Sequence, residues 1–388
     1  MKQKKILHLA KYFNPDVGGI EFVTQQIIEA LKDKYDFTVI AFGKRNQIYL
    51  QQFSEYKVFR FAEVSKLFSQ SLSLRYFFQS IIEIRQSSIV HLHYPNILAL
   101  FSIIFNRNAK IIIHWHSDIM GKGFVGWITN KLTKILLKNV DCIVPTTRKY
   151  ALSSSVISSY EHKIFPISIG IPDYFLCRNA LIDSYVYSLY PQLKNKKIFL
   201  SIGRLVKFKG FEFIPRIAKA INSEDLLFVI VGDGPEYTNL VDGVNNLGLN
   251  DKFLFLTDIG PLDAYQSNIK SGLLDWFLRS SIALIFPSIT RAESYGIVQL
   301  EALSYGLPIV GFNLQDSGTT YVNLDMETGF LVNLYNVSDM ASKLLLLLDD
   351  TALRQELREN CRKRYLEHFT EELQINSFDA LYSKMLSQ

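Results

Sequence analysis

FPSITRAESYGIVQLEALSYGLPIV, Phe286 to Val310, is the stretch on which the reading of the chain turns. Phe286 closes an apolar strand, a polar loop carries Glu293, and a helix starts near Gly296. Glu301 falls on that helix, which stops at Gly306–Leu307–Pro308 before Ile309–Val310 opens another strand. If every residue between the two glutamates were helical, they would stand roughly 12 Å apart along the axis. That is too far for both to act on one atom, and it suits the two ends of one extended ligand. The helix start between them offers unpaired N–H groups and partial positive charge, a seat for phosphate. Taken alone, a surface glutamate beside an ordinary amphipathic helix accounts for the same residues.

The rest of the chain supplies the context. Its 388 residues, 48% hydrophobic and 20% charged, suit two domains with ample core. Cys142, Cys177 and Cys361 are odd in number and show neither CxxC nor Cys/His spacing, so a reducing cytoplasm is expected and no metal site. The apolar run in MKQKKILHLA is too short for a signal peptide, and Ile97–Phe105 falls short of the ~18 residues of a membrane span. Charge is divided unevenly. Residues 1–170 hold 22 basic and 11 acidic side chains, whereas the remainder hold 20 and 26. A basic first half facing something anionic is expected, whether membrane, nucleic acid or a phosphorylated substrate.

In order along the chain, Lys5–Ala10 reads as a strand. It leads into a loop ending Val17-Gly18-Gly19, a helix from Ile20 to Lys32, and a strand at Phe37–Phe42. That is the opening βα unit of a doubly wound sheet, in which glycines let a ligand approach the backbone. A tight turn explains Gly18–Gly19 equally well. Leu67–Arg85 reads as a basic amphipathic helix, and Ile89–His93 and Lys110–His116 as strands. The pairs His91/His93 and His114/His116 read as satisfied buried imidazoles. His116 stands apart because it closes a strand, where doubly wound folds bind ligands.

Met120–Lys138 has no acid and sets Phe124 and Trp127 against Lys122, Lys131 and Lys134, the pattern of a helix lying on an anionic membrane. A core-packed helix with a solvated basic face shows the same pattern. Asp141–Thr146 and Lys163–Pro172 read as strands, and the weakly periodic residues 174–196 as a linker. The expected domains are therefore 1–173 and 197–369, with a terminal helix in 370–388 able to pack on either.

After 197 the same grammar restarts. Lys197–Gly203 is a strand, Arg204 to Gly210 a loop, and Phe211–Ile221 a helix. Strands follow at Leu226–Val231, Phe253–Leu256, Ile282–Phe286 and Gly329–Val332, with helices at Ala264–Asp275 and Met340–Leu348. The expected class is α/β, two facing doubly wound, Rossmann-like domains. Arg204 and Lys209, at the end of the first strand, make a clamp for a diphosphate. With the two glutamates and the helix start, they describe a cleft for a nucleotide-sugar.

These segments resemble the retaining glycosyltransferases of family four, which have the two-domain GT-B fold with an interdomain cleft. The resemblance rests on Glu293…Glu301 as the E-x7-E motif, on SIGRLVKFKG, FVIVGDGP, VGGIE, SGTTYVN and ETGFLV, and on HLHYPN and HWHSDIM. The last two look like the subset that builds lipid-linked polysaccharides such as O-antigens. The resemblance implies that Glu301 holds the ribose hydroxyls, and that Glu293 with Ser294, Tyr295, Gly296 and Ile297 meets the transferred sugar and diphosphate. It also implies that Arg204 and Lys209 neutralise the leaving diphosphate, that Gly18 and Gly19 approach the phosphates, and that His116 reaches the donor sugar. It implies no cofactor and no metal, which agrees with the lack of an Asp-x-Asp motif. The acceptor would be a saccharide or a lipid-linked saccharide. The enzyme would be cytoplasmic and peripheral on the inner membrane face.

Other readings fit less of the sequence. A glycoside hydrolase using Glu293 and Glu301 needs carboxylates about 5–9.5 Å apart and leaves Arg204 and Lys209 idle. GDGPEY is a poor dinucleotide fingerprint. A non-enzymatic basic protein binding membrane remains open, while no element supports nucleic-acid binding.

Overall fold

A computed structural model gives the fold, and it describes residues 4–388 except 17, 44–48, 54, 64, 68–69, 120–122, 176–179, 222, 258 and 260–268. The chain divides into two units, Met1–Ile169 with Glu372–Gln388, and Gly170–Glu371.

In the first unit the elements run β1 (Lys5–Leu9), α1 (Gly19–Leu31), β2 (Asp36–Gly43), β3 (Tyr49–Gln52), β4 (Tyr56–Ala62), β5 (Ser65–Leu67), β6 (Gln70–Leu72), α2 (Leu74–Ile84) and β7 (Ile89–Tyr94). There follow α3 (Ile97–Ser102), β8 (Lys110–Trp115), α4 (Gly123–Leu136), β9 (Cys142–Pro145) and α5 (Arg148–Ser153). Among the described residues the main sheet has the order β3-β4-β2-β1-β7-β8-β9, parallel except for β3. Every residue of β7 is buried, as expected of a strand covered on both faces. One face carries Leu7, Leu9, Val90, Leu92, Ile111 and Ile113 into the apolar core. The register sets His8 beside His91, and His93 beside His114, on the opposite face.

The second unit contains α6 (Ala180–Leu189), β10 (Lys197–Ile202), α7 (Ile214–Ile221), β11 (Leu226–Val231), α8 (Tyr237–Asn246), β12 (Phe253–Leu256), α9 (Ile269–Ser280), β13 (Ser281–Phe286) and α10 (Ile297–Ser304). It continues with β14 (Ile309–Phe312), α11 (Thr319–Val322), β15 (Gly329–Val332), α12 (Val337–Asp349) and α13 (Thr351–His368). The parallel sheet has the order β12-β11-β10-β13-β14-β15. Strand order reverses between β10 and β13, so the loops leaving their C-terminal ends flank one crevice. Helix α7 buries Ile214, Ile217, Ala218 and Ile221, one stripe at helical spacing.

Four expectations are corrected. Of the expected linker 174–196, residues 176–179 lie outside the described residues, and 180–189 form α6, which docks on α9, burying Val186 and taking a 2.8 Å hydrogen bond from Trp276 Nε1 to Asp183 Oδ1. The unit boundaries accordingly fall at 169/170 and 371/372 instead of 173 and 197. The helix expected over Leu67–Arg85 starts only at Leu74, because the Ser73 hydroxyl accepts from Tyr76 N and caps it there. Lys163–Pro172 makes only isolated bridges, Ile143 to Ile164 and Ile171 to Thr370. The final helix, α14 (Glu371–Ser387), belongs to the first unit: Tyr35 donates to Asp379 at 2.7 Å, and Phe378 and Tyr382 are fully buried. Of the helix expected over Ala264–Asp275, residues 264–268 lie outside the described residues.

Replacing Asp183 by Ala should cost about 1–2 kcal/mol of stability in denaturant unfolding, the worth of a half-buried hydrogen bond. A flexible linker would show no change.

Candidate active site

The site in the second unit grows out of the reversal of strand order. Gly203 leaves β10 with φ 146°, and its missing side chain makes room for Lys209: a Cβ there would stand 3.2 Å from Lys209 Nζ. Gly210 holds the turn that follows, with φ 65° and only 2.1 Å between a Cβ and Pro287 O. Lys209 is thereby pressed against the β13 loop, where its Nζ stands 2.9 Å from Glu293 Oε2. Arg204, on the same loop, is exposed and makes no ion pair among the described residues. It remains available to an incoming anion.

The Glu293 loop is fixed on all sides. Ser317 Oγ donates to Glu293 O at 2.5 Å, Gly318 N to Ser294 O at 3.0 Å, and Ser288 Oγ lies 3.5 Å from Glu293 Oε2. Tyr295 is buried and meets Phe369 edge-on. Gly296 precedes the helix with φ 78°, and a Cβ there would stand 2.7 Å from the Phe286 ring. Helix α10 therefore begins at Ile297, with Glu293 on the preceding bend and only Glu301 helical. The N-cap residue is Gly296, which has no side chain to cap the helix, and first-turn N–H groups of this kind suit an anion.

Glu301 sits half-buried one turn further on. Burial pushes its carboxyl up to about 7, and the nearby Lys209 charge opposes that rise. Lys209 thus acts on both glutamates, and the crevice gathers two cations, a bare helix start and two carboxylates.

Known proteins resemble the chain over most of its length. Residues 190–364 match glycosyl transferases group 1, and residues 17–151 match Glycosyltransferase Family 4. The D-rhamnosyltransferase WbpZ of Pseudomonas aeruginosa is 26% identical over 371 residues, covering 94% of this chain and 92% of the relative. The O-antigen chain mannosyltransferase C of Escherichia coli is 23% identical over 98% of this chain and 99% of its own. Among solved structures, Anabaena Alr3699/HepE in complex with UDP superposes with a TM-score of 0.77 at 15% identity, over 98% of this chain and 100% of that one. The chain is a GT-B, family-four-like glycosyltransferase.

In this glycosyltransferase the first unit's expected residues are placed as follows. Gly18 and Gly19 open α1, but Gly18 has φ 176°, extended backbone that any residue adopts. A Cβ on Gly18 would stand 2.2 Å from Oε2 of Glu21, the flexible end of a side chain whose carboxylate folds back over the helix start. His116 follows β8, 5% exposed, stacked on His114 at 4.0 Å and held by its Nε2 3.0 Å from His93 Nδ1. Burial lowers its pKa to about 3, so it is neutral. Lys122 lies outside the described residues. Along α4, Phe124 and Trp127 are 73% and 57% exposed, and Ile128, Leu132, Ile135, Lys131 and Lys134 join them on the surface.

Ser288 and Gln299, whose Nε2 donates to Tyr295 O at 2.9 Å, shape the site without a signal in the sequence, and His8 joins the buried imidazoles of the first unit. Hydroxyls and amides that shape a loop carry no signature of their own. Periodicity alone could have placed His8 on the face of His91.

The Glu301 carboxyl ionises at 4.5 in the unfolded chain and about 7 in the folded one, so the folded state retains its proton longer. Its contribution to stability is present below about pH 4.5 and is lost as pH rises towards 7. Melting temperatures of wild type and Glu301→Gln should diverge across that window, the variant being the less pH-dependent. Parallel curves would remove Glu301 as the titrating group.

Proposed function

We propose that this glycosyltransferase moves a hexose from a nucleotide-diphosphate sugar to a saccharide acceptor, lipid-linked, in cell-surface polysaccharide synthesis, with retention of anomeric configuration and without a metal. The observation that carries the donor class is Lys209 set between Glu293 and Glu301, with unpaired Arg204 and the α10 N-terminus beside it. A diphosphate fits the cations and the helix start. A ribose diol donates to the Glu301 carboxyl oxygens, and the sugar hydroxyls donate to Glu293. Similarity to proteins whose names state mannosyl and rhamnosyl transfer, and to one seen with UDP, supports the donor and the polysaccharide setting.

As the glycosidic C–O bond breaks, negative charge collects on the leaving diphosphate. Arg204, Lys209 and the α10 N–H groups are in place to stabilise that charge. They supply the positive charge that a divalent cation would otherwise bring, which is the argument for metal independence. His116 contacts the transferred sugar in this reading. Arg204→Ala should lower kcat/KM by about 10²-fold, through both KM and kcat. Unchanged kinetics would remove the clamp from the mechanism. The anomeric configuration of the product, read by NMR, tests retention.

Membrane docking belongs to the same reading. The surface stripe Phe124, Trp127, Ile128, Leu132 and Ile135 on α4, flanked by Lys131 and Lys134, matches an anionic leaflet in apolarity and charge. Leu74, Phe78 and Ile82 expose a second apolar stripe on α2. No helix among the described residues is long and apolar enough to cross a membrane. Flotation with anionic liposomes should be lost on replacing Trp127, Lys131 and Lys134 together by Ala. Full retention would exclude this surface.

A further inference from the structure

Five of the seven histidines lie on one face of the first unit's sheet and are almost wholly buried: His8, His91 and His114 are 0% exposed, His93 1% and His116 5%. Their ring nitrogens, with one phenol from α14, connect in a single file. His116 Nε2 lies 3.0 Å from His93 Nδ1, His93 Nε2 lies 3.0 Å from His8 Nδ1, and His8 Nε2 lies 3.2 Å from the Tyr382 hydroxyl. The hydroxyl lies 2.6 Å from His91 Nδ1, and His91 Nε2 lies 3.3 Å from His114 Nδ1. At the far end His114 Nε2 is buried with no partner among the described residues. The near end, His116, is the outermost of the five.

Each neutral imidazole has one N–H and one bare nitrogen, so each link fixes the next. The Tyr382 oxygen could accept from both its neighbours only by orphaning its own proton. With that proton used within the file, all the protons point the same way and two arrangements exist. If they point inward from His116, the file ends in an orphaned N–H at His114 Nε2, a buried donor in an apolar setting. If they point outward, the file ends there in a bare lone pair. Among buried backbone groups an orphaned N–H is rarer than an under-satisfied acceptor, and we carry that preference over to the imidazole. In the outward arrangement His114 Nδ1–H donates to His91, His91 Nδ1–H to Tyr382, and the Tyr382 hydroxyl to His8. His8 Nδ1–H then donates to His93, and His93 Nδ1–H to His116 Nε2. Thr24, whose hydroxyl donates to Ile20 O at 2.7 Å, stands beside His93 as an acceptor 3.3 Å from its Nδ1.

We infer that this imidazole–phenol file, locked by Tyr382 of the last helix, holds His116 as the Nδ1–H tautomer, a neutral hydrogen-bond donor whose other nitrogen is blocked. His8, His91, His93, His114 and Tyr382 are thus positioning residues. Burial keeps all five rings neutral by pushing their pKa values well down, and the neighbouring rings add to the effect on His91, His93 and His114. The consequence for transfer rests on the reading of His116 given above: it donates to an oxygen of the sugar and does not act as a base.

Two sets of three imidazoles, His8/His91/His93 and His93/His114/His116, also bring their nitrogens within 4.8 Å of one another, the spacing of a possible cation site. Among the described residues no acidic side chain joins either set, so a divalent ion there would be buried with uncompensated charge.

The test is nitrogen NMR of histidine-labelled protein, which reads each tautomer directly. Wild type near neutral pH should show five neutral rings, His116 protonated at Nδ1, and couplings through the hydrogen bonds joining His116 to His93 and His93 to His8. Tyr382→Phe removes the central hydroxyl and should turn His116 into a mixture of tautomers. It should also lower turnover on the order of tenfold with donor KM nearly unchanged, as loss of an orienting partner does. The tautomer measurement stands whatever the substrate, so an altered tautomer with unchanged turnover would sink only the catalytic role. A His116 protonated at Nε2, a tautomer indifferent to Tyr382→Phe, or stoichiometric binding of Co²⁺ by the rings would overturn the inference. If the variant does not fold, the wild-type couplings and the His116 tautomer decide alone.

Discussion

The ion pair between Lys209 and Glu293, 2.9 Å long and largely buried, is the contact from which the second unit's site is built. It joins the two loops that leave the sheet on either side of the reversal in strand order. Neither loop could form it without help from glycine. Gly203 clears a path for the lysine, Gly210 turns the chain against Pro287, and Gly296 seats the start of α10 on Phe286. One cation so placed holds Glu293 in position and tempers the burial that raises the Glu301 carboxyl. The pair therefore orders the site before any ligand arrives, the condition for electrostatic stabilisation without reorganisation.

Much of this was legible in the amino-acid sequence because it is local. Leu226–Val231, Phe253–Leu256 and Gly329–Val332 are strands within the bounds their apolar runs suggest. The clamp loop and the E-x7-E stretch each lie in one short segment, so their residue types could be read without knowing the fold. What escaped depends on tertiary contact. Residues 174–196 look like a linker by composition, yet Val186 and the Asp183–Trp276 hydrogen bond dock them on α9. Ser73 follows β6 and caps α2 where periodicity alone ran the helix through. His8 and Tyr382, 374 positions apart, meet in the structure at 3.2 Å. No sequence pattern announces such a contact.

The two units use opposite strategies for polar groups. The second keeps charges, exposes Arg204 and leaves a helix start bare, all suited to a ligand that carries charge. The first sheet buries five imidazoles in uncharged form, and its helices α2 and α4 present apolar side chains outward. The chain's net +5 conceals this division, since the basic excess lies in residues 1–170 and the acidic excess in the rest.

The central claim is that Glu301 and Glu293 hold different ends of one donor. Calorimetric titration of free nucleoside diphosphates, which carry no sugar, onto Glu301→Gln and Glu293→Gln tests it most directly. The account predicts that Glu301→Gln weakens binding by about tenfold or more, the loss of charge-assisted hydrogen bonds to the ribose, while Glu293→Gln leaves it within a few-fold. Equal losses in both variants, or a loss confined to Glu293→Gln, would contradict it.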